Sequence, residues 1–110
     1  MEPTNFGKLK KTKVREGVLR SVVSGEKVMM AMNEIQPGVK PNPPHSHSHE
    51  QILYILKGQA EVEVGDKKWI FGPGDVIVIP PNVPHGLKNL GDEAVLNLDV
   101  FSPIRQEYLK

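Results

Sequence analysis

The sequence predicts an all-β protein, a small antiparallel jelly-roll β-barrel, and three observations predict it. Turn residues recur at regular intervals, the stretches between them are strand-length, and none has the periodicity of an amphipathic helix. Ten Gly and ten Pro in 110 residues supply the punctuation. That much turn chemistry in a short chain suits many short strands better than long helices.

The elements follow in order. Val18–Ser24 (VLRSVVS) is rich in β-branched residues and closes at Ser24-Gly25. Residues 28–35 (VMMAMNEI) would tolerate a helix, but Gln36-Pro37-Gly38 stops them early. Residues 39–44 carry Pro41, Pro43 and Pro44 and are therefore extended without being a central paired strand. Residues 51–56 (QILYIL) run to Lys57-Gly58. Ala60–Val64 alternates, with Ala60, Val62 and Val64 on one face and Glu61 and Glu63 on the other. Gly65-Asp66 makes a two-residue hairpin to Lys67–Phe71. After the Gly72–Asp75 turn, Val76–Ile79 is a continuous apolar run that reads as a strand buried on both faces. Pro80-Pro81-Asn82 turns again, and residues 93–101 supply a last long strand. Eight or nine strands at this spacing are the mark of a sandwich or barrel.

Composition bounds the function. Fourteen basic against thirteen acidic residues leave a net charge of +1, so nucleic-acid binding is not expected as the main activity. The absence of cysteine excludes disulfides, thiolate metal sites and cysteine nucleophiles. No run approaches the ~18 apolar residues of a membrane span, and a cytoplasmic protein is expected. Residues 1–16 form a basic arm (Lys8, Lys10, Lys11, Lys13, Arg15), expected to be solvated and partly frayed, ahead of one domain at 17–110.

The four histidines are concentrated rather than scattered. His45, His47 and His49 stand in Pro44-His45-Ser46-His47-Ser48-His49-Glu50-Gln51, and His85 in Val83-Pro84-His85-Gly86. In an extended segment alternate side chains share a face, so His45 and His47 can aim at one atom. The stretch from Gly38 through His45-x-His47-x3-Gln51-x6-Gly58 resembles the first signature of the cupin superfamily. It departs in one extra residue after Gly38 and in Gln51, where that family usually has Glu. Gly74-x5-Pro80-x-Asn82-x2-His85-x3-Asn89 is similar to the second signature, with Asn82 in a glycine position. Asn is the residue that best replaces Gly at positive φ.

The resemblance implies one divalent metal (Ni, Zn, Fe, Mn or Co) held by His45, His47, Gln51 and His85. Glu50 competes with Gln51 through a one-residue slip, and the family spacing to Gly58 favours Gln51. His49 is then a residue at the rim. Three imidazoles and an amide would leave the ion its full charge, which favours Lewis-acid or acid–base chemistry and attracts anions.

In the last strand Val95, Asn97, Asp99 and Phe101 share one face, and Leu96, Leu98 and Val100 the other. If the mixed set lines the cavity, Asp99 and Phe101 project toward the metal, and an Asp there is costly unless paired or hydrated. From about residue 25 to the C-terminus the chain is similar to small single-domain cupins of the pectin degradation KdgF type. The matching strings are His45-Ser46-His47-x-His49-Glu50-Gln51, Ile79-Pro80-Pro81-Asn82-Val83-Pro84-His85 and Asp99-Val100-Phe101-Ser102-Pro103. That likeness implies linearisation of 4,5-unsaturated monouronates to the open-chain 4-deoxy-5-keto-uronate. It casts Asp99 as acid/base, Phe101 as substrate packing and Arg105 as the carboxylate-binding fork. The partner would be a small anionic molecule. A mononuclear iron dioxygenase and a non-catalytic small-ligand binder are the alternatives. A homodimer is expected, because residues 18–23 and 28–32 would otherwise leave apolar strand edges open.

Overall fold

Antiparallel pairing joins every pair of neighbouring strands in the computed structural model, which describes residues 2–109. Met1 and Lys110, the outer ends of the expected arm and domain, lie outside the described residues. The strands are β1 (Thr12–Arg15), β2 (Val18–Ser24), β3 (Met29–Ile35), β4 (Glu50–Lys57), β5 (Ala60–Val64), β6 (Lys67–Phe71), β7 (Val76–Ile79), β8 (His85–Asn89) and β9 (Val95–Ser102). Among the described residues the only helical elements are two 3₁₀ turns, Phe6–Lys8 and Gln106–Leu109. No helix is long and apolar enough to cross a membrane.

A six-stranded sheet in the order β1-β2-β3-β9-β4-β7 packs over a three-stranded sheet in the order β6-β5-β8. This is the all-β jelly-roll arrangement the sequence predicts. The main core lies between the sheets and contains Leu53, Ile55, Ala60, Val62, Phe71, Ile79 and Val95. A smaller cluster of Met29, Ala31 and Phe101 closes the other end. Along β9 the inward side chains are therefore Val95, Asn97, Asp99 and Phe101, all buried. The polar pair sits between two apolar caps.

Three expectations need correction. Val76–Ile79 is not buried on both faces: Ile79 is fully buried, but Val76 and Val78 are each 55% exposed. The reason is that β7 is an edge strand paired only with β4, and a short β-branched run does not reveal whether a second layer covers it. Residues 18–23 and 28–32 do not leave open edges, because β2 lies between β1 and β3, and β3 between β2 and β9. The residue group that closes the β2 edge is part of the basic arm, where Thr12–Arg15 pairs with β2 and is not frayed. Lys11 and Arg15 bind Glu34 and the Lys40 carbonyl, 3.3 and 2.8 Å away. The strand at His85–Asn89 was also not evident in the sequence, since Gly86 and Lys88 interrupt any apolar alternation.

Gly58, which connects β4 to β5, has φ +87°, and a Cβ there would lie 2.9 Å from the Ala94 carbonyl oxygen. Gly58→Ala should therefore lower folding stability by about 1–3 kcal/mol, since both the left-handed backbone and the contact oppose it. Urea denaturation reads the loss; an unchanged midpoint would show that the turn can relax.

Candidate metal centre

Two extended segments meet at the histidines. The loop before β4 is joined to the start of β8 by a reciprocal backbone pair, His45 N–H to the His85 carbonyl (3.0 Å) and His85 N–H to the His45 carbonyl (2.9 Å). Asn82, at φ 66°, donates its backbone N–H to the His47 carbonyl at 2.7 Å. The positive φ is the backbone state for which Asn stands in for Gly. These bonds bring the His45, His47 and His85 rings together, with centroids 4.5 Å apart for His45–His85 and 4.8 Å for His47–His85. One ring nitrogen from each of the three lies within 4.8 Å of the others.

Second hydrogen bonds define which nitrogen faces inward. His47 Nδ1 is 3.0 Å from the His49 carbonyl and His85 Nδ1 is 2.9 Å from the Val83 carbonyl. Each Nδ1 must carry the proton it donates, leaving Nε2 with its lone pair. His85 Nε2 is buried and has no hydrogen-bond partner. A buried acceptor without a partner is costly in a folded protein, and a metal ion would satisfy it. Burial, ahead of every charge effect, holds the His45 imidazole down to about 4, with His85, Arg105, His47 and Arg20 adding repulsion. His47 and His85 are also lowered mainly by burial. Three neutral donors with converging lone pairs fit a divalent ion, which could be held here.

The remaining sequence-selected residues surround the trio. Gln51 is buried on the inner face of β4, while Glu50 points outward and is exposed. Gln51 Oε1 lies 3.1 Å from His47 Nε2, and Gln51 Nε2 donates to Asp99 Oδ1 at 2.8 Å. Asp99 also accepts from Asn97 at Oδ1 (2.9 Å) and from Asn33 at Oδ2 (2.9 Å). Burial raises the Asp99 carboxyl to about 6, although Gln51, Asn97, Arg20 and Asn33 all pull it down. Phe101 is buried beneath the histidines, its ring 5.7 Å from His47. His49 lies beside them, 5.3 Å from His47 between ring centroids, with a buried Nδ1 that has no partner.

Arg105 closes one side of a cavity of about 140 Å³ that Asp99, Gln51, His45 and His85 also line. Its guanidinium donates to the Tyr108 hydroxyl (2.9 Å) and to the Glu107 carboxylate (3.0 Å), and its Nε is buried without a partner. Sequence reasoning missed Arg20, Asn33 and Tyr108, which line the same cavity. Arg20 lies 3.8 Å above the Tyr108 ring and Arg105 4.4 Å from it, a double cation–π contact. Asn33 had a signal, as the one amide in the mostly apolar MMAMNEI strand. Tyr108 had none, because only the fold carries the C-terminal turn back to the cavity.

The fold and this site define a cupin domain with a histidine cluster that could hold a metal. The chain belongs to the cupin family, whose Cupin domain model matches residues 31–101. It is similar to the pectin degradation protein KdgF of Dickeya dadantii (strain 3937), 32% identical over 96 residues that span 86% of each chain. The structure of KdgF from Halomonas sp. has a TM-score of 0.84 at 30% identity, covering 93% of this chain and 94% of that one. An RmlC-like cupin from Shewanella frigidimarina NCIMB 400 shares the fold, with a TM-score of 0.87 at 23% identity over 96% of this chain and 93% of that one.

His47→Ala and His85→Ala should each lose most bound metal while the barrel stays folded, because the main core is separately apolar. Elemental analysis with circular dichroism checks this, and full stoichiometry in either variant would remove that residue from the ligand set.

Proposed function

We propose that this chain is a metal-dependent enzyme that linearises 4,5-unsaturated monouronates to the open-chain 4-deoxy-5-keto-uronate. The observation that carries the reading is a cavity lined by two of the three clustered histidines, His45 and His85, with a buried carboxylate and an arginine with a free Nε. The similarity to two KdgF proteins supports the choice of substrate. His45, His47, Gln51 and His85 would hold the ion. When bound, it supplies Lewis-acid polarisation of a substrate oxygen.

The chain's own residues account for the other requirements. Arg105 lines the cavity, where its guanidinium would bind the uronate carboxylate. Phe101 gives the sugar an apolar surface at the cavity floor. Asp99 Oδ1 accepts two amides, but Oδ2 accepts only one and keeps a lone pair for a proton. With its carboxyl raised to about 6 by burial, Asp99 is tuned for proton transfer near neutrality. It would take the proton of the anomeric hydroxyl as the bond from C1 to the ring oxygen breaks. The enolate so formed gains a proton at C4, and the net change is an isomerisation with no external reductant or oxidant. We place the reaction in the cytoplasm, which a cysteine-free chain suits.

Purified metal-loaded protein should consume unsaturated monouronates, read as loss of the enol-ether absorbance without oxygen uptake. No loss would leave a binding protein, and oxygen consumption would point to a dioxygenase. At saturating metal, Asp99→Asn should lower kcat by about 10²–10⁴ with KM little altered. Arg105→Lys should chiefly raise KM, since an ammonium cannot offer the planar fork. Full activity of Asp99→Asn would return Asp99 to a structural role.

A homodimer belongs to the same proposal. On the outer face of β4 and β7, Ile52 pairs with Val78 and Tyr54 with Val76, all exposed, and such apolar surface favours association. Light scattering at micromolar concentration should give twice the chain mass; the monomer mass would exclude it.

A further inference from the structure

Three hydrogen bonds and one close polar contact link the cavity wall to the histidines in one chain. Arg20 Nε donates to Asn33 Oδ1 at 2.8 Å, and Asn33 Nδ2 donates to Asp99 Oδ2 at 2.9 Å. Gln51 Nε2 donates to Asp99 Oδ1 at 2.8 Å, and Gln51 Oε1 faces His47 Nε2 at 3.1 Å. Arginine has donors only, so the end of Asn33 that meets Arg20 must be its oxygen. The Asn33 amide nitrogen is thereby turned to Asp99. An ionised carboxylate only accepts, so Gln51 must in turn present its nitrogen to Asp99 and its oxygen to the histidines. No member can be reversed alone.

We infer that Arg20, Asn33 and Asp99 are positioning residues that fix Gln51 as an oxygen donor to the metal, and that Asp99 is the reason this position carries an amide rather than the carboxylate usual in cupins. The inference rests on the metal-centre reading above. A Glu at position 51 would bring one of its oxygens to the place now held by Nε2, 2.8 Å from Asp99 Oδ1. Two carboxylates at that distance repel unless a proton is shared. The geometry around His47 supports the same assignment. Its Nδ1 proton is given to the His49 carbonyl, so Nε2 and Gln51 Oε1 meet lone pair to lone pair, an arrangement that a cation between them would stabilise.

The chain can be inverted by exchanging its two central groups. In Gln51→Glu/Asp99→Asn, the new amide at 99 can accept from Asn33 with its oxygen and donate to the carboxylate at 51 with its nitrogen. Asn97 need only turn its amide over, since its sole side-chain hydrogen bond among the described residues is the one to Asp99. Each single variant breaks the pattern. In Asp99→Asn alone, Arg20 and Asn33 keep their orientation and the amide nitrogen at 99 confronts that of Gln51.

The test is a zinc titration of the metal-free full chain and its three variants, with the thermal midpoint of each metal-free protein. Gln51→Glu and Asp99→Asn should each bind zinc about 10–100-fold more weakly than the native chain. The double variant should bind at least as tightly as the native chain, and its midpoint should exceed those of both single variants. The visible spectrum of the cobalt(II) form should follow the same order, native-like only in the double variant. Single variants that fail to fold beside a folded double variant would also support the coupling. Additive losses of affinity and midpoint, or a double variant that does not fold, would overturn it. The midpoints need no metal, so a native chain that binds no zinc would sink the metal-centre reading and leave the coupling to be decided by them. Turnover should stay low in the zinc-replete double variant, which lacks the carboxylate at 99; turnover restored there would count against Asp99 as proton carrier without touching the positioning role.

Discussion

The burial of one carboxylate governs the interior of this protein. Asp99 is 7% exposed in the middle of β9, and among the described residues no side-chain cation lies within salt-bridge distance of it. A bare carboxylate there would cost several kcal/mol, and three amide donors from three different strands offset that cost. Asn33 on β3, Gln51 on β4 and Asn97 on β9 must therefore all face inward around it. The register that aligns Ala31 with Asp99 and Asp99 with Leu53 makes this possible. A slip of one residue would turn Asp99 outward and the apolar set of β9 with it.

The polar layer and the histidines depend on one another. Desolvation first, and then repulsion from Arg105 and neighbouring histidines, holds the three imidazoles below their ordinary value, and nothing among the described residues satisfies His85 Nε2. The same low-polarity surroundings raise the Asp99 carboxyl. A cation at the histidines would be felt by Asp99 through the Gln51 amide, one side chain away. Ion binding and proton affinity are thus properties of a single network rather than of separate residues.

On the opposite wall, positive charge is held in place by an aromatic ring. Tyr108 is brought by the C-terminal 3₁₀ turn to a position between reach of Arg20 and Arg105. Stacking on the ring restrains two flexible side chains without neutralising them. Burial raises the tyrosine hydroxyl above its ordinary value despite both arginines, so it remains a neutral donor and acceptor.

The sequence by itself determined most of the strands, the turns and the histidine cluster, because these are local: alternation, Gly and Pro positions, and a His-x-His spacing act within a few residues. Asn82 at positive φ and Gly58 at its close approach to Ala94 are of the same kind. Only the tertiary structure decided which face of β9 is inside, that β7 lies at an edge, and that Thr12–Arg15 of the basic arm closes the sheet. It alone brought Arg20, Asn33 and Tyr108 to one cavity, which Val14 at the other end of the chain also lines. Those placements follow from strand pairing between distant segments, such as Asn33 with Asn97. Such pairings are set by the packing of whole sheets, and no short-range pattern records them.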